Sequence, residues 1–316
     1  MEASKFRLVT RSDFDGLVCG MLLRELDLID EIKFVHPKDM QDGIVPISSR
    51  DIVTNLPFVE GCHLAFDHHA SEMLRNGDGG RANHVIDPKA PSAARVVYNY
   101  YGGAASFPRI QPDLMNAVDK ADSANFTIDD ILNPRDWVLL NFLMDSRTGL
   151  GRFRQFRISN YELMMQLIEH CREMPIHDVL ELPDVKERVE LYMDQAELFS
   201  QQLHRCTNVH GRLALLDLRQ EETIHAGNRF MIYALFPECD ISIHLMWGVR
   251  QQNTVFAIGK SILDRRSPVD VGSVCLRYGG GGHEAAGTCQ IANEDAERVK
   301  SELIPILSPD PMRDAA

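Results

Sequence analysis

Apolar positions near the start of the chain fall into short blocks set apart by Pro, Gly and Asp. Phe6–Thr10 is one such block and ends at a polar cluster; from Gly16 to Leu28 apolar residues then recur at helical spacing, which predicts a strand, a loop and a helix. Ile32–Val35, Asp51–Thr54 and His63–Phe66 are further short runs suited to parallel strands covered on both faces. The pattern predicts an α/β fold with a doubly wound, mainly parallel sheet. In such sheets ligands bind beyond the carboxyl ends of the strands. Asp13, Asp15, His36, Asn55, Asp67, His68 and His69 all follow a strand-like run, which marks that end of the sheet as the place to look for chemistry.

Helical spacing returns over Ser92–Tyr101, Gln111–Asp119, Tyr161–Cys171 and Val185–Leu203, the last a long stretch that precedes a new strand. The domain junction is placed there. Beyond it, Arg212–Leu218, Ile241–Trp247 and Thr254–Ser261 read as strands and Asn228–Phe236 as a helix, so the second domain is α/β with its own sheet. Asn293 is positioned to cap a last helix running to about Leu303, with Pro305 near its end and a Pro-rich, frayed tail beyond.

Composition narrows the class. At 316 residues the chain is long enough for two cores; 44% hydrophobic and 25% charged residues are ordinary for a globular protein, and no apolar run would span a bilayer. The opening residues lack the basic, apolar and small-residue pattern of an export signal. Cys19, Cys62, Cys171, Cys206, Cys239, Cys275 and Cys289 form no CxxC pair and read as reduced thiols, so a cytoplasmic location without membrane association is expected. A formal net charge of −13 repels a nucleic-acid backbone overall, which argues against long duplex DNA and for a short phosphorylated ligand met by a local cationic or metal-lined site.

The chemistry sits in a few segments. Asp13 and Asp15 follow a strand, and in an extended segment both carboxylates would face one crevice, as metal ligands do. Asp67, His68 and His69 end another strand and add mixed oxygen and nitrogen donors suited to Mn²⁺, Fe²⁺, Co²⁺ or Zn²⁺. Asp119 and Asp122 form a further acidic pair, for which a solvated loop or helix cap is the plainer account. Gly279–Gly282 followed by His283 offers backbone N–H groups that can approach a phosphate closely, with a side-chain donor beside them. GxSxG, GxxxxGK[ST] and HExxH are absent, which removes the commonest competing hydrolase signatures.

Three segments resemble one superfamily: Ser12-Asp13-Phe14-Asp15-Gly16, Phe66-Asp67-His68-His69-Ala70-Ser71-Glu72, and the run Gly279 to Gly287 containing Gly-Gly-Gly-Gly-His-Glu-Ala-Ala-Gly. They are similar, in order and across nearly the whole chain, to the motifs of the DHH phosphoesterases with their DHH-associated C-terminal domain. That superfamily takes in RecJ-type exonucleases, nano-RNase-type oligoribonucleases, cyclic-dinucleotide phosphodiesterases, exopolyphosphatases and, with a different C-terminal domain, family II pyrophosphatases. The resemblance implies a catalytic, metal-binding DHH domain over residues 1–190, a linker helix over 191–208 and a smaller substrate-binding domain over 209–316. It also implies two divalent ions, usually Mn²⁺, held by a motif I histidine and two aspartates, a bridging aspartate, the DHH histidine and a fourth aspartate. Carried over, Asp13, Asp15, His68 and Asp122 are metal ligands. Asp67 supports His68, His69 faces substrate phosphate, and Gly280, Gly281, Gly282 and His283 grip the far end of the substrate.

Two positions depart from the motifs. Where relatives place the motif I histidine stand Arg11 and Val9, and Asn55 occupies the place of the bridging aspartate. Three accounts fit: His36, with Asn55, replaces a lost ligand; one ion is held by Asp15, His68 and Asp122 while Arg11 balances phosphate charge; or catalysis is lost and a nucleotide sensor remains. In the favoured reading a metal-activated water attacks phosphorus, with Arg11, Asp67 and His69 as catalytic residues. Arg265, Arg266 and Arg277 flank the glycine loop in sequence and would form a basic rim reading terminal phosphates. A dinucleotide or other short RNA in a cleft between the domains is the first substrate class, inorganic polyphosphate the second; a homodimer is left open.

Overall fold

The computed structural model describes residues 5–69 and 81–308; Ala70, Ser71 and Glu72 of the second motif and the tail after Ser308 lie outside them. The chain divides into two compact units, one of Met1–Asn125, Pro134–Ser146 and Gly151–Glu190, the other of Phe126–Asn133, Arg147–Leu150 and Leu191–Ala316. The helix Pro183–Cys206 carries the chain from the first into the second.

In the first unit, β1 (Phe6–Thr10), β2 (Ile29–Phe34), β3 (Asp51–Thr54), β4 (Leu64–Asp67) and β5 (His84–Ile86) form one sheet in the order β2-β1-β3-β4-β5, with every pairing parallel. Leu8, Val9, Ile52 and Val53 are at most 1% exposed, so these strands are the doubly covered kind that their unbroken apolar runs predict. The order reverses between β1 and β3, which makes the gap beyond their carboxyl ends a topological switch point. Those ends are fastened by two buried hydroxyls: Thr54 Oγ1 donates to Thr10 Oγ1 (2.7 Å), and Thr10 Oγ1 donates to the Thr54 carbonyl (3.2 Å).

The helix Phe14–Glu25 begins earlier than the periodicity suggests, because Asp13 caps it by accepting from the Gly16 amide (2.9 Å). Asp15 therefore sits inside the first helical turn rather than in an extended segment, a correction to the expected geometry. Phe14 through Leu23 are all buried, so the helix runs through the core of its unit. Ala93–Tyr100, Pro112–Asp122 and Asn160–Glu173 are helices close to where the spacing places them.

The second unit holds β6 (Thr207–His210), β7 (Leu213–Asp217), β8 (Ile241–Trp247), β9 (Thr254–Lys260), β10 (Gly281–His283) and β11 (Ala286–Ile291), in the order β10-β11-β9-β8-β7-β6. Only β7 and β8 pair in parallel. Its core joins Leu215, Ile243 and Phe256 of the sheet to Val271 and Val274 of the helix Val271–Arg277 and to Val299 and Leu303 of the last helix, Ala296–Leu307. Asn293 does not cap that helix. Its side chain instead accepts from Thr254 Oγ1 and donates to the Gln251 carbonyl, and Pro305 lies inside the last turn.

Candidate metal centre

The candidate ligands gather at the carboxyl end of the first sheet. Asp13 and Asp15 follow β1, Asn55 follows β3, Asp67 ends β4 with His68 and His69 just after it, and Asp122 ends the helix Pro112–Asp122. Among the described residues, ligand atoms of Asp15, His68 and Asp122 lie within 4.8 Å of one another.

Asp15 is 2% exposed, and both its oxygens accept from the amino end of the helix Ala93–Tyr100: the Ala93 amide to Oδ2 (3.0 Å) and the Ala94 amide to Oδ1 (2.7 Å). Those amides carry the positive end of the helix dipole, which partly compensates a buried carboxylate. Burial, then the charges of Asp122 and Asp13, hold the Asp15 carboxyl well above the usual range, against the opposing pull of His68 and the Ala94 amide. Such a group is relieved by a cation.

The cradle is itself braced. Ser92 caps the helix by accepting from the Arg95 amide (3.0 Å) and donates to Asp119 Oδ1 (2.8 Å), while Arg95 Nε and Nη2 donate to Asp119 Oδ2 (2.9 and 2.5 Å). Asp119 is thus neither in a solvated loop nor a helix cap but, from within its own helix, anchors the end of another through Ser92 and Arg95, and Asp122 is the member of the pair that enters the cluster. Ser92 was not among the candidate residues, although a serine opening an apolar helical run is a cap signal.

His68 is oriented by the Ala90 carbonyl, which accepts from Nδ1 (3.2 Å) and leaves Nε2 facing Asp122 Oδ2 at 2.8 Å, out of line for a hydrogen bond. This is the arrangement of a metal-ligating histidine: one ring nitrogen spent on a fixed acceptor, the other turned into an acidic pocket. Burial pulls its pKa down, but Asp122, and then Asp15 and Asp67, outweigh that and push it up to about 9 when no cation is present. Asp67 does not orient this ring. Its Oδ1 accepts from the His68 and His69 amides (2.8 and 3.2 Å) and from His69 Nδ1 (2.7 Å), so the side chain it positions is His69.

Arg11 and Asn55 close on Asp13. Arg11 Nε lies 3.0 Å from Asp13 Oδ2, and Asn55 Nδ2 donates to both carboxylate oxygens (3.2 and 3.4 Å). His36 is placed elsewhere: its Nδ1 accepts from the Lys38 amide (3.2 Å) and caps the helix Pro37–Gln41. The residues fit one divalent cation. Three ligands of mixed oxygen and nitrogen type converge, and Asp67 Oδ2 and Asn55 Oδ1 are buried oxygens without a hydrogen-bond partner among the described residues.

In the second unit the glycine run leads into and forms most of β10, and the turn to β11 is made by Glu284 and Ala285. Gly281, Gly282 and His283 are exposed, and His283 Nδ1 accepts from the Ala285 amide (3.3 Å), which leaves Nε2 as the ring's donor. Arg265 donates to the Ile262 carbonyl (3.2 Å), Arg266 pairs with Asp264, and Arg277 is exposed in the last turn of its helix.

A solved structure described as the pGpG-specific phosphodiesterase PggH from Vibrio cholerae is 60% identical to this chain, covers 97% of it and 100% of its own length, and superposes with a TM-score of 0.86. The chain belongs to the DHH phosphoesterases. A DHH phosphoesterase is a hydrolase of phosphoric esters, and the two units are its DHH and DHH-associated folds. More distant likenesses are an exonuclease RecJ bound to manganese (14% identity, 97% of this chain and 91% of that one, TM-score 0.46) and CDC45 from Entamoeba histolytica (10%, 96% and 95%, 0.48). No protein-family model matches the chain, and no curated protein does. No helix among the described residues is long and apolar enough to cross a membrane.

Proposed function

We propose that this DHH phosphoesterase cleaves a short linear dinucleotide of the pGpG type into mononucleotides, using a divalent cation held by Asp15, His68 and Asp122. The observation that carries the reading is the 60% identity with a pGpG-specific phosphodiesterase over 97% of the chain. Bound there, the cation would polarise the scissile phosphate and acidify a water. The donor set of two carboxylates and an imidazole suits Mn²⁺.

The chain's own residues do the rest. The Ala93 and Ala94 amides hold Asp15 at a fixed orientation, and the Ala90 carbonyl fixes the tautomer of His68. Asp67 takes the Nδ1 proton of His69 into a 2.7 Å bond, leaving Nε2 of this half-exposed ring to meet substrate phosphate. In the second unit, the exposed residues Gly281 and Gly282 and Nε2 of His283 are assigned to gripping a terminal phosphate, with Gly280, Arg265 and Arg277 in the same substrate-binding role. Seven free thiols fit a reducing, cytoplasmic setting.

The test is to incubate the purified protein with pGpG and Mn²⁺ and separate products by chromatography, with polyphosphate as the competing substrate. Two mononucleotides should appear, and chelation, Asp15→Ala or His68→Ala should each abolish them. Intact pGpG with polyphosphate consumed would give the reaction to the alternative substrate; neither consumed, with the dinucleotide bound, would make the chain a sensor.

A further inference from the structure

We propose that Arg11, Asp13 and Asn55 together replace the second cation of the DHH two-ion centre, so that this chain holds one divalent ion and presents a guanidinium to the phosphate in place of the other. The proposal rests on the metal-dependent reading above and sharpens it. Both oxygens of Asp13 face protein donors: Oδ1 accepts from the Gly16 amide (2.9 Å) and Asn55 Nδ2 (3.2 Å), and Oδ2 meets Arg11 Nε (3.0 Å) and Asn55 Nδ2 (3.4 Å). A dication at this carboxylate would have to displace the N–H groups of Gly16 and Asn55, whose hydrogens point toward it, and would sit beside a guanidinium that is always positively charged.

Asn55 is held in place. It is 2% exposed, its backbone lies in the left-handed region (φ 53°), and its amide donates to the Phe66 carbonyl of β4 (3.2 Å). Its carboxamide is neutral and cannot bridge two dications as a carboxylate does. Charge matching points the same way. As ligands of a bound cation Asp15 and Asp122 would supply two negative charges, the complement of one divalent ion, while Asp13 is matched by Arg11 and stays outside the cluster of Asp15, His68 and Asp122. Arg11 stands directly after β1 at the switch point with 38% of its side chain exposed, so its guanidinium is open to a ligand while its Nε lies beside Asp13.

The deciding measurement counts metal, not turnover. Wild-type protein dialysed against Mn²⁺ and analysed by elemental mass spectrometry, with a parallel calorimetric titration, should bind one ion per chain in a single phase. Two ions per chain would overturn the proposal whatever the activity; no ion would overturn it together with the reading on which it rests. The double variant Arg11→His, Asn55→Asp restores the residue types the family uses and should bind two ions; a count that stays at one would refute the role given to these residues. Arg11→Ala should keep one ion but lose roughly 10²- to 10³-fold in kcat, as expected for deleting a donor to transition-state charge, with partial recovery in Arg11→Lys. Unchanged kcat in Arg11→Ala would refute the substitution of guanidinium for metal, whereas absence of any dinucleotide turnover in wild type would leave the ion count to decide this proposal and would sink the hydrolase reading alone.

Discussion

Replacing Ser92 by alanine tests whether the amino end of the helix Ala93–Tyr100 is what holds Asp15 in place. The hydroxyl is fully buried and makes two bonds, accepting from the Arg95 amide at 3.0 Å and donating to Asp119 Oδ1 at 2.8 Å. Loss of a helix cap costs about 1 kcal/mol and loss of a further buried hydrogen bond about 1 kcal/mol more, so the first unit should lose roughly 2 kcal/mol. Asp119 keeps its two bonds from Arg95, which limits the damage to that amount. For a domain of this size the melting temperature should fall by roughly 4–8 °C in metal-free protein, read by calorimetry. The same change should weaken Mn²⁺ binding, because the Ala93 and Ala94 amides that clamp Asp15 sit on the loosened turn. Ser92→Thr keeps the oxygen and should recover most of the affinity. An alanine variant that melts and binds Mn²⁺ like the wild type would show that the brace does not position Asp15.

Gly16→Ala should abolish metal binding and strongly destabilise the first unit, since a Cβ there would lie 2.0 Å from the Arg11 carbonyl and 2.9 Å from Thr10 Oγ1; thermal melting and Mn²⁺ titration both read this. In the glycine loop, Gly280→Ala should lower the melting temperature, its Cβ falling 2.2 Å from the Thr288 carbonyl, whereas Gly281→Ala, with nothing within 4 Å, should melt like wild type. Burial, with Arg229 nearby, holds His244 of β8 down at about 4. The unfolded chain takes up that proton first, so stability should be complete above about pH 6.5 and fall by at most about 3 kcal/mol as pH drops towards 4. Denaturant titrations across that range should show the slope, and His244→Gln should flatten it.

Much of the first unit was legible because its strands are unbroken apolar runs. Asp51–Thr54 and Phe6–Thr10 match the expected bounds, and the clustering of polar residues after them marks the site. The three-residue strand His84–Ile86 is too short to give a period, and the helix Asp136–Met144 is apolar nearly all round, so neither announces itself. The hairpin of β10 and β11 is hidden for a related reason: glycines carry no alternation of polarity. At the site, Asp15, His68 and Asp122 followed from motif resemblance and do converge. His36 stayed open in the sequence because a histidine after a strand and before proline caps a helix as readily as it binds a metal, and capping is the role its Nδ1 takes. The pairing of Ser92 with Asp119 and of Asp67 with His69 rather than His68 depends on tertiary placement and side-chain rotamers, which spacing does not record.

The three clustered side chains come from the first turn of the helix after the first strand, the end of the fourth strand, and a helix that closes far later in the chain. A polypeptide still emerging from the ribosome has no Asp122 to contribute until most of this unit has been made, and its sheet pairs strands distant in sequence. Under the proposed reading, a product that stops short of Asp122 lacks one of the three ligands, so capture of the ion would report that this part of the unit has been completed.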